Sequence, residues 1–494
     1  MSNEKTRIVN QQELSRRSFL RTSSAGVLSF LNLPMLVGCT GNVLSTIDSI
    51  ATTEYGLIRG KYQNGIHSFK GVPYGAPTGG AARFMAAEKP SPWTGVRDVF
   101  DFGAMSYQFS TSESPATDEQ FLKDRMPTST LSYWDALIDG DGSGYRVVGF
   151  EGEDCLVLNI KTPALRDNKK RPVMVWLHGG GFTAGSGNIF TWDDYLAKSQ
   201  DVVVVSINHR LNIFGHLYLA ELGGEQYADS GNAGMLDIVM ALEWVRDNIT
   251  EFGGDPNNVT IFGQSGGSGK VASLMAMPSA KGLFHRAIMQ SGPMLKGRTT
   301  DMATEYAEKF LHNIGLKSNQ INKLHDLPVA QMIAAAEEAF GTNPYMIFRP
   351  VVDGRALPSH PFSSVATELS ADVPLMIGTT EYETTTMSHV LDFPVEYAET
   401  GIFPENMLHK YLYTAFEGEF VGGSEPADMS YVKELVKTHR QNYPGASAYD
   451  TFFWITSNKC YRIDSQIIAD RKSRLNEAPV YMYLFAWDTP FLGG

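Results

Sequence analysis

Cysteine is scarce in this chain: Cys39, Cys155 and Cys460 are all there is in 494 residues. So few cysteines exclude a disulfide-stapled scaffold, and none has metal-ligand spacing to a histidine or to another cysteine. No metal site is expected. Positive charge is also short. There are 41 lysines and arginines against 54 acidic residues, for a formal net charge of −13. That balance argues against a nucleic-acid partner and against adsorption to an anionic membrane, since both require a basic surface. Solubility is its plain meaning. Internal repeats and low-complexity blocks are missing too. What remains, 43% hydrophobic and 19% charged, is ordinary globular composition with ample material for a large core.

Residues 1–50 are expected to lie outside the fold, with the folded domain at 51–494. Ser15-Arg16-Arg17-Ser18-Phe19-Leu20 resembles a twin-arginine export signal. The mildly apolar stretch that follows, Ala25 to Val37, is too short to span a bilayer as a stable helix. It runs into Leu36-Val37-Gly38-Cys39, which resembles a lipoprotein cleavage box with Cys39 as the lipidated residue. The expectation is a periplasmic or membrane-anchored protein with a membrane tether at Cys39. Export by this route carries proteins already folded, so Cys155 and Cys460 read as buried free thiols.

From about Ala51 to Pro77 the pattern is antiparallel strand, with Asn64-Gly65 as the hairpin turn. Ser110 to Gly144 is polar and weakly periodic, a long surface excursion. Val173–Leu177 and Val202–Val205 are continuous apolar runs, expected to be strands covered on both faces. Met235, Ile238, Val239, Leu242 and Ile249 recur at helical spacing, with Asp237, Glu243 and Asp247 on other faces. Strands alternating with helices predict an α/β fold. Its central sheet is mostly parallel, with helices on both faces and a small N-terminal antiparallel region.

Val259 to Lys270, "VTIFGQSGGSGK", admits two readings. A phosphate-cradling loop needs Gly, four residues, then Gly-Lys-Ser/Thr. Here the first position is Gln264 and the last is Val271, so that reading fails twice. The other pattern, G-x-S-x-G, fits Gly263-Gln264-Ser265-Gly266-Gly267. A β-branched and aromatic run precedes it, and Val271, Leu274 and Met275 follow at helical spacing. Strand, tight turn and helix are the context of a nucleophile elbow, where a Cβ on either side of the serine would collide with its neighbours. Directly after the Val173–Leu177 run comes His178-Gly179-Gly180-Gly181-Phe182. Consecutive glycines let backbone N–H groups face a ligand. Donors aimed at a developing oxyanion supply roughly 3–4 kcal/mol each.

Together "HGGGF", "EGEDCLVLNI", "NHRLNIFG", "GNAGMLDIVMALEWVRDNITEFGGDPNNVTIFGQSGG" and "FHRAIMQSG" are similar to the carboxylesterase/cholinesterase family, the type B carboxylesterases. The resemblance implies the α/β-hydrolase fold and Ser265 as nucleophile. It implies an oxyanion hole from the N–H groups of Gly180, Gly181 and Gly266, where many relatives carry alanine at the last position. It places the acid of the triad at Glu383 in "GTTEYET", with Glu381 a lesser candidate because Tyr382 and Thr384 depart from the family pattern. Ser106 stands where many relatives have the cysteine that pairs with the one here at 155. Small-molecule esters are the implied substrates, and no cofactor or metal is implied. Asn248 and Asn258 match glycosylation sequons by chance.

The general base should be a histidine following a late strand that here resembles "APVYMYLFAWDTPF". No histidine comes after His439. His439 reads as a surface residue at a polar helix end, His389 stands too close to Glu383, and His178 reads as structural. The base is therefore expected beyond Gly494, with natural loss of catalysis as the rival reading. The leading function is carboxylic-ester hydrolysis through an acyl-enzyme. The alternative is a non-catalytic binding or adhesion protein on the same fold. A histidine in the downstream reading frame favours the first. A cationic substrate would call for an aromatic cage, which neither Trp93 nor Trp134 can be assigned to from sequence.

Overall fold

The computed structural model describes residues 49–109, 150–189, 193–341, 347–387, 391, 393–417 and 428–487, all within the unit Thr46–Gly494. Cys39, the 110–144 excursion, Trp134 and His389 lie outside the described residues. Strands β1 (Ser49–Thr53), β2 (Gly56–Gln63), β3 (Ile66–Pro73), β4 (Val96–Asp98), β5 (Val157–Thr162), β6 (Arg171–Leu177), β7 (Val203–Ile207), β8 (Gly254–Gln264) and β9 (Arg286–Gln290) come first. A short pair follows, β10 (Arg298–Thr299) and β11 (Val351–Val352), and then β12 (Leu375–Thr380) and β13 (Val480–Phe485). All but β10 and β11 form one sheet in the order β1-β2-β3-β5-β7-β6-β8-β9-β12-β13, with β4 on β2.

The sheet has two characters. From β7 through β6, β8, β9 and β12 to β13 every pairing is parallel. From β1 through β2, β3 and β5 to β7 every pairing is antiparallel. The antiparallel part is therefore larger than expected, because β5, beginning at Val157, joins β3, which ends at Pro73. The hairpin turn is as read: Asn64 and Gly65 both have positive φ, 55° and 85°, the type I′ geometry that matches strand twist.

β7 is buried at every position, as its valine run requires. β6 is not covered evenly: Val173, Val175 and Leu177 are buried, while Met174 and Trp176 are only half-buried. The main core lies where these strands meet the helices Ala233–Asn248 and Gly266–Met275. In the first helix Met235, Ile238, Val239 and Leu242 are buried as expected, but so is Asp237. Its carboxylate takes a two-point hydrogen bond from the buried Arg210 guanidinium (2.6 and 2.8 Å) and a third from the Arg210 N–H (3.0 Å). Periodicity put it on another face. Pairing is what lets a charge occupy the core face. Among the described residues, no helix is long and apolar enough to cross a membrane.

Candidate active site

β6 and β8 are neighbours, with Leu177 paired to Gly263 at their carboxyl ends. The chain leaves β6 toward β7 on one side and reaches β8 on the other. A crevice opens at such a switch point in a parallel sheet. The two glycine-rich segments read from the sequence emerge there side by side.

Ser265 follows β8 and begins the helix Gly266–Met275, with φ +55° and ψ −122°. A residue with a side chain rarely adopts that backbone. It is held by its surroundings. Its N–H donates to the Gln290 carbonyl (2.9 Å) and its carbonyl accepts from Gly269 N–H (3.2 Å). The flanking glycines have the role expected of them: a Cβ on Gly263 would lie 2.6 Å from the Gly267 carbonyl carbon, and one on Gly267 would lie 2.0 Å from the Leu177 oxygen. Gly266 abuts the other loop, since a Cβ there would stand 2.3–2.5 Å from the backbone of Gly181.

Gly180 and Gly181 have φ of +82° and +62°. The Gly180 carbonyl accepts from the N–H groups of Thr183 (3.3 Å) and Ala184 (3.0 Å). The Gly179 carbonyl accepts from His178 Nδ1 at 2.8 Å, so that nitrogen carries the ring proton. His178 is buried against His209, ring centroids 4.9 Å apart. Burial, and then the nearby Lys270, hold its pKa well below the usual histidine range. Its place is structural, as read. Among the described residues the N–H groups of Gly180, Gly181 and Gly266 meet no acceptor. They are free to serve a ligand beside Ser265.

Glu383 lies just past β12. Its carboxylate accepts from Thr380 N–H at 2.7 Å and is hydrogen-bonded to the Ser291 hydroxyl. Burial raises its pKa, while the Ser291 and Thr380 bonds and the charge of Arg462 pull it back toward the ionised form. Ser291 itself has φ +47° and precedes Gly292, where a Cβ would lie 2.0 Å from the Ser265 oxygen. Ser291 and Gly292 thus connect the carboxylate to the elbow. Glu381 serves differently: its N–H donates to Phe485 (3.0 Å) and its carbonyl accepts from Arg462 (2.7 Å), so its backbone extends the β12 pairing with β13.

Thr384, one of the departures from the family pattern, is buried. It bonds Ser457 through its N–H (3.1 Å) and Thr456 through its hydroxyl (2.7 Å). The residues Asn458–Arg462 beyond form a π-helical turn that presents Arg462 to the carbonyls of Thr380 and Glu381. Ser291 and Thr384 lie within the "FHRAIMQSG" and "GTTEYET" segments, but nothing in either segment, or around Arg462, marks them as partners of Glu383. Lys270, a lysine in an otherwise small and apolar helix, is a local signal of its own.

A model described as the carboxylesterase family matches residues 47–491. The chain belongs to that family. Para-nitrobenzyl esterase of Bacillus subtilis (strain 168) is 38% identical over 339 residues, which cover 68% of this chain and 63% of that protein. Phenmedipham hydrolase of Pseudarthrobacter oxydans is 35% identical over 349 residues, covering 68% and 62%. The chain thus spans a little under two thirds of the length of these curated relatives. Among solved structures, a Geobacillus stearothermophilus carboxylesterase superposes with a TM-score of 0.70 at 32% identity, over 90% of this chain and 81% of that one. These likenesses establish the α/β-hydrolase fold.

Other sequence expectations also find their place in this carboxylesterase-family chain. Cys155 is a free, buried thiol, and Cys460 is half-buried. The Ser106 hydroxyl at the substituted position accepts from Leu211 N–H at 3.1 Å instead. His439 is not a surface residue. It is buried between Tyr443 and Trp454, 4.9 and 4.7 Å from their ring centres. Val432, Val436 and His439 form one helical stripe that turns it inward. Trp93 packs near Tyr55 and under the Arg97 guanidinium, its ring nitrogen donating to the Leu57 carbonyl. Among the described residues no imidazole is hydrogen-bonded to Ser265 or Glu383, and no group of His, Cys, Asp and Glu side chains could hold a metal.

Proposed function

We propose that the protein hydrolyses carboxylic esters of small molecules through an acyl-enzyme. The observation that carries this is the contact between Ser265 at its strained elbow and the loop bearing the unpartnered Gly180 and Gly181 amides. Holding a serine at that φ and ψ costs roughly 1–3 kcal/mol, and a purely binding protein has no use for it.

In the first half-reaction Ser265 Oγ attacks the ester carbonyl while a histidine takes its proton. Glu383 orients that imidazole and stabilises its charged form. The oxyanion is held by the N–H groups of Gly180, Gly181 and Gly266. Collapse breaks the bond to the alcohol oxygen, which leaves with the proton held by the imidazolium. Water, deprotonated by the same base, then attacks the acyl carbon and releases the acid. The full-length protein should hydrolyse p-nitrophenyl butyrate. Ser265→Ala should lower kcat by at least ~10⁴-fold and abolish labelling by a fluorophosphonate probe. An active, labelled Ser265→Ala protein overturns the assignment.

The same reading includes export through residues 1–50 and a lipid tether, supported by Arg16-Arg17 and the Leu36–Cys39 box. Cys39→Ser should move the protein from the membrane pellet to the soluble fraction. Retention in the pellet excludes the tether.

A further inference from the structure

Lys270 stands four residues after Gly266 on the elbow helix. That spacing puts it on the same helix face, and side chains in a helix lean back toward the N-terminus. It is fully buried. The position is hostile to a cation: burial alone pushes its pKa down to about 7, and the positive end of its own helix dipole lies close by. Among the described residues no carboxylate pairs with it. The titratable groups around it, His178, His209 and His216, all have pKa values lowered by burial in the first place, with Lys270 itself contributing, so they offer no negative charge.

What Lys270 does have is the oxyanion loop. Its Nζ donates to the His178 carbonyl at 2.8 Å and to the Gly181 carbonyl at 2.9 Å, and it lies 5.5 Å from the centre of the Phe182 ring. The His178 ring takes the Gly179 carbonyl, and Thr183 and Ala184 take that of Gly180. Four consecutive carbonyls, 178 to 181, are therefore all occupied by the protein. In a trans peptide the N–H of the following residue points opposite to the carbonyl, so the Gly179 and Gly180 carbonyls set where the Gly180 and Gly181 amides aim, and Lys270 anchors the peptides on either side of those two.

We propose that Lys270 is a positioning residue for ester hydrolysis: it clamps both ends of the His178–Gly181 loop from beneath and so holds the Gly180 and Gly181 amides toward Ser265. This rests on the hydrolase reading above. The clamp itself does not, because it is a statement about loop order that can be measured without turnover.

The test compares the full-length protein with Lys270→Met, which fills the space without donating, and Lys270→Gln, which keeps two N–H donors. Hydrogen exchange followed by mass spectrometry reads the peptide carrying Thr183, Ala184 and Gly185, whose amides donate to Gly180 and Gln108. Steady-state kinetics on p-nitrophenyl butyrate read the chemistry. For Lys270→Met, exchange in that peptide should quicken at least ~10-fold with other core peptides unchanged. In the same variant kcat should fall ~10²-fold, about the loss of one oxyanion donor, with KM within twofold. Lys270→Gln should recover part of both effects, and it carries the comparison if the methionine variant does not fold. A merely structural lysine would lower the melting temperature and leave kcat untouched. A folded variant with parental exchange and parental kcat overturns the clamp. Absence of esterase activity in the parent instead counts against the hydrolase reading, and the exchange measurement still decides the clamp.

Discussion

Ser265 and Glu383 stand at the carboxyl ends of two parallel strands of one sheet, β8 and β12, with β9 between them. Around Ser265 the structure is made of backbone. Gly263, Gly266 and Gly267 are there because neighbouring main chain occupies the space a Cβ would need, and the expected oxyanion donors are main-chain amides. Around Glu383 it is made of side chains. The Ser291 hydroxyl, the Thr384–Thr456–Ser457 hydroxyl network and the Arg462 guanidinium hold the acid loop. A backbone-built half is intolerant of any added atom. A side-chain-built half can change its residues as long as the hydrogen bonds are remade, and it departs from the family pattern at Tyr382 and Thr384, where the backbone half departs only by losing a methyl group at Gly266.

The comparison breaks most sharply at the acid. Glu383→Gln should lower kcat by ~10⁴-fold, because an amide can neither stabilise an imidazolium nor fix its tautomer. Glu381→Gln should stay close to the parent, since Glu381 contributes backbone pairing. Steady-state kinetics on both variants would reverse the assignment if the losses came out the other way round. A smaller effect is expected at Gly266→Ala. Alanine at this position suits many relatives, yet here its Cβ would meet the Gly181 nitrogen and oxygen at 2.3–2.5 Å. The loop must retreat, and kcat should drop ~10²–10³-fold with little change in melting temperature. Full activity in this variant would mean that the backbone half has slack after all.

These differences also explain what could be read from the chain. The elbow and the glycine loop are each contiguous, and each missing side chain is a local record of a close approach. The Asn64-Gly65 turn was legible for the same reason. The acid loop's supports come from residues 291, 456, 457 and 462, and nothing within any one of those segments points to Glu383. Pairing is equally nonlocal: β5 carries no mark that it will run antiparallel to β3 and β7. Lys270 and His439 are intermediate cases. Both violate the expectation that a polar residue faces water, and both could have been caught by register: Lys270 four residues after Gly266, His439 in line with Val432 and Val436. Asp237 belongs with them, since its partner Arg210 lies 27 residues upstream.

The gentlest probe of the side-chain half is Ser291→Ala. Burial raises the Glu383 pKa, and the Ser291 hydrogen bond opposes that rise because it favours the charged carboxylate. Removing the hydroxyl leaves burial less opposed, so the pKa should climb further. A group with a higher pKa takes up its proton earlier as pH falls. The acidic limb of the kcat/KM profile should therefore move to higher pH, while activity well above the limb falls less than ~10-fold, since Thr380 N–H still binds the carboxylate. A limb that stays in place would show that Ser291 only packs against the elbow through its strained backbone. A limb displaced to lower pH would mean that the hydroxyl serves the protonated form, and the electrostatic account of this half of the site would have to be rebuilt around Arg462.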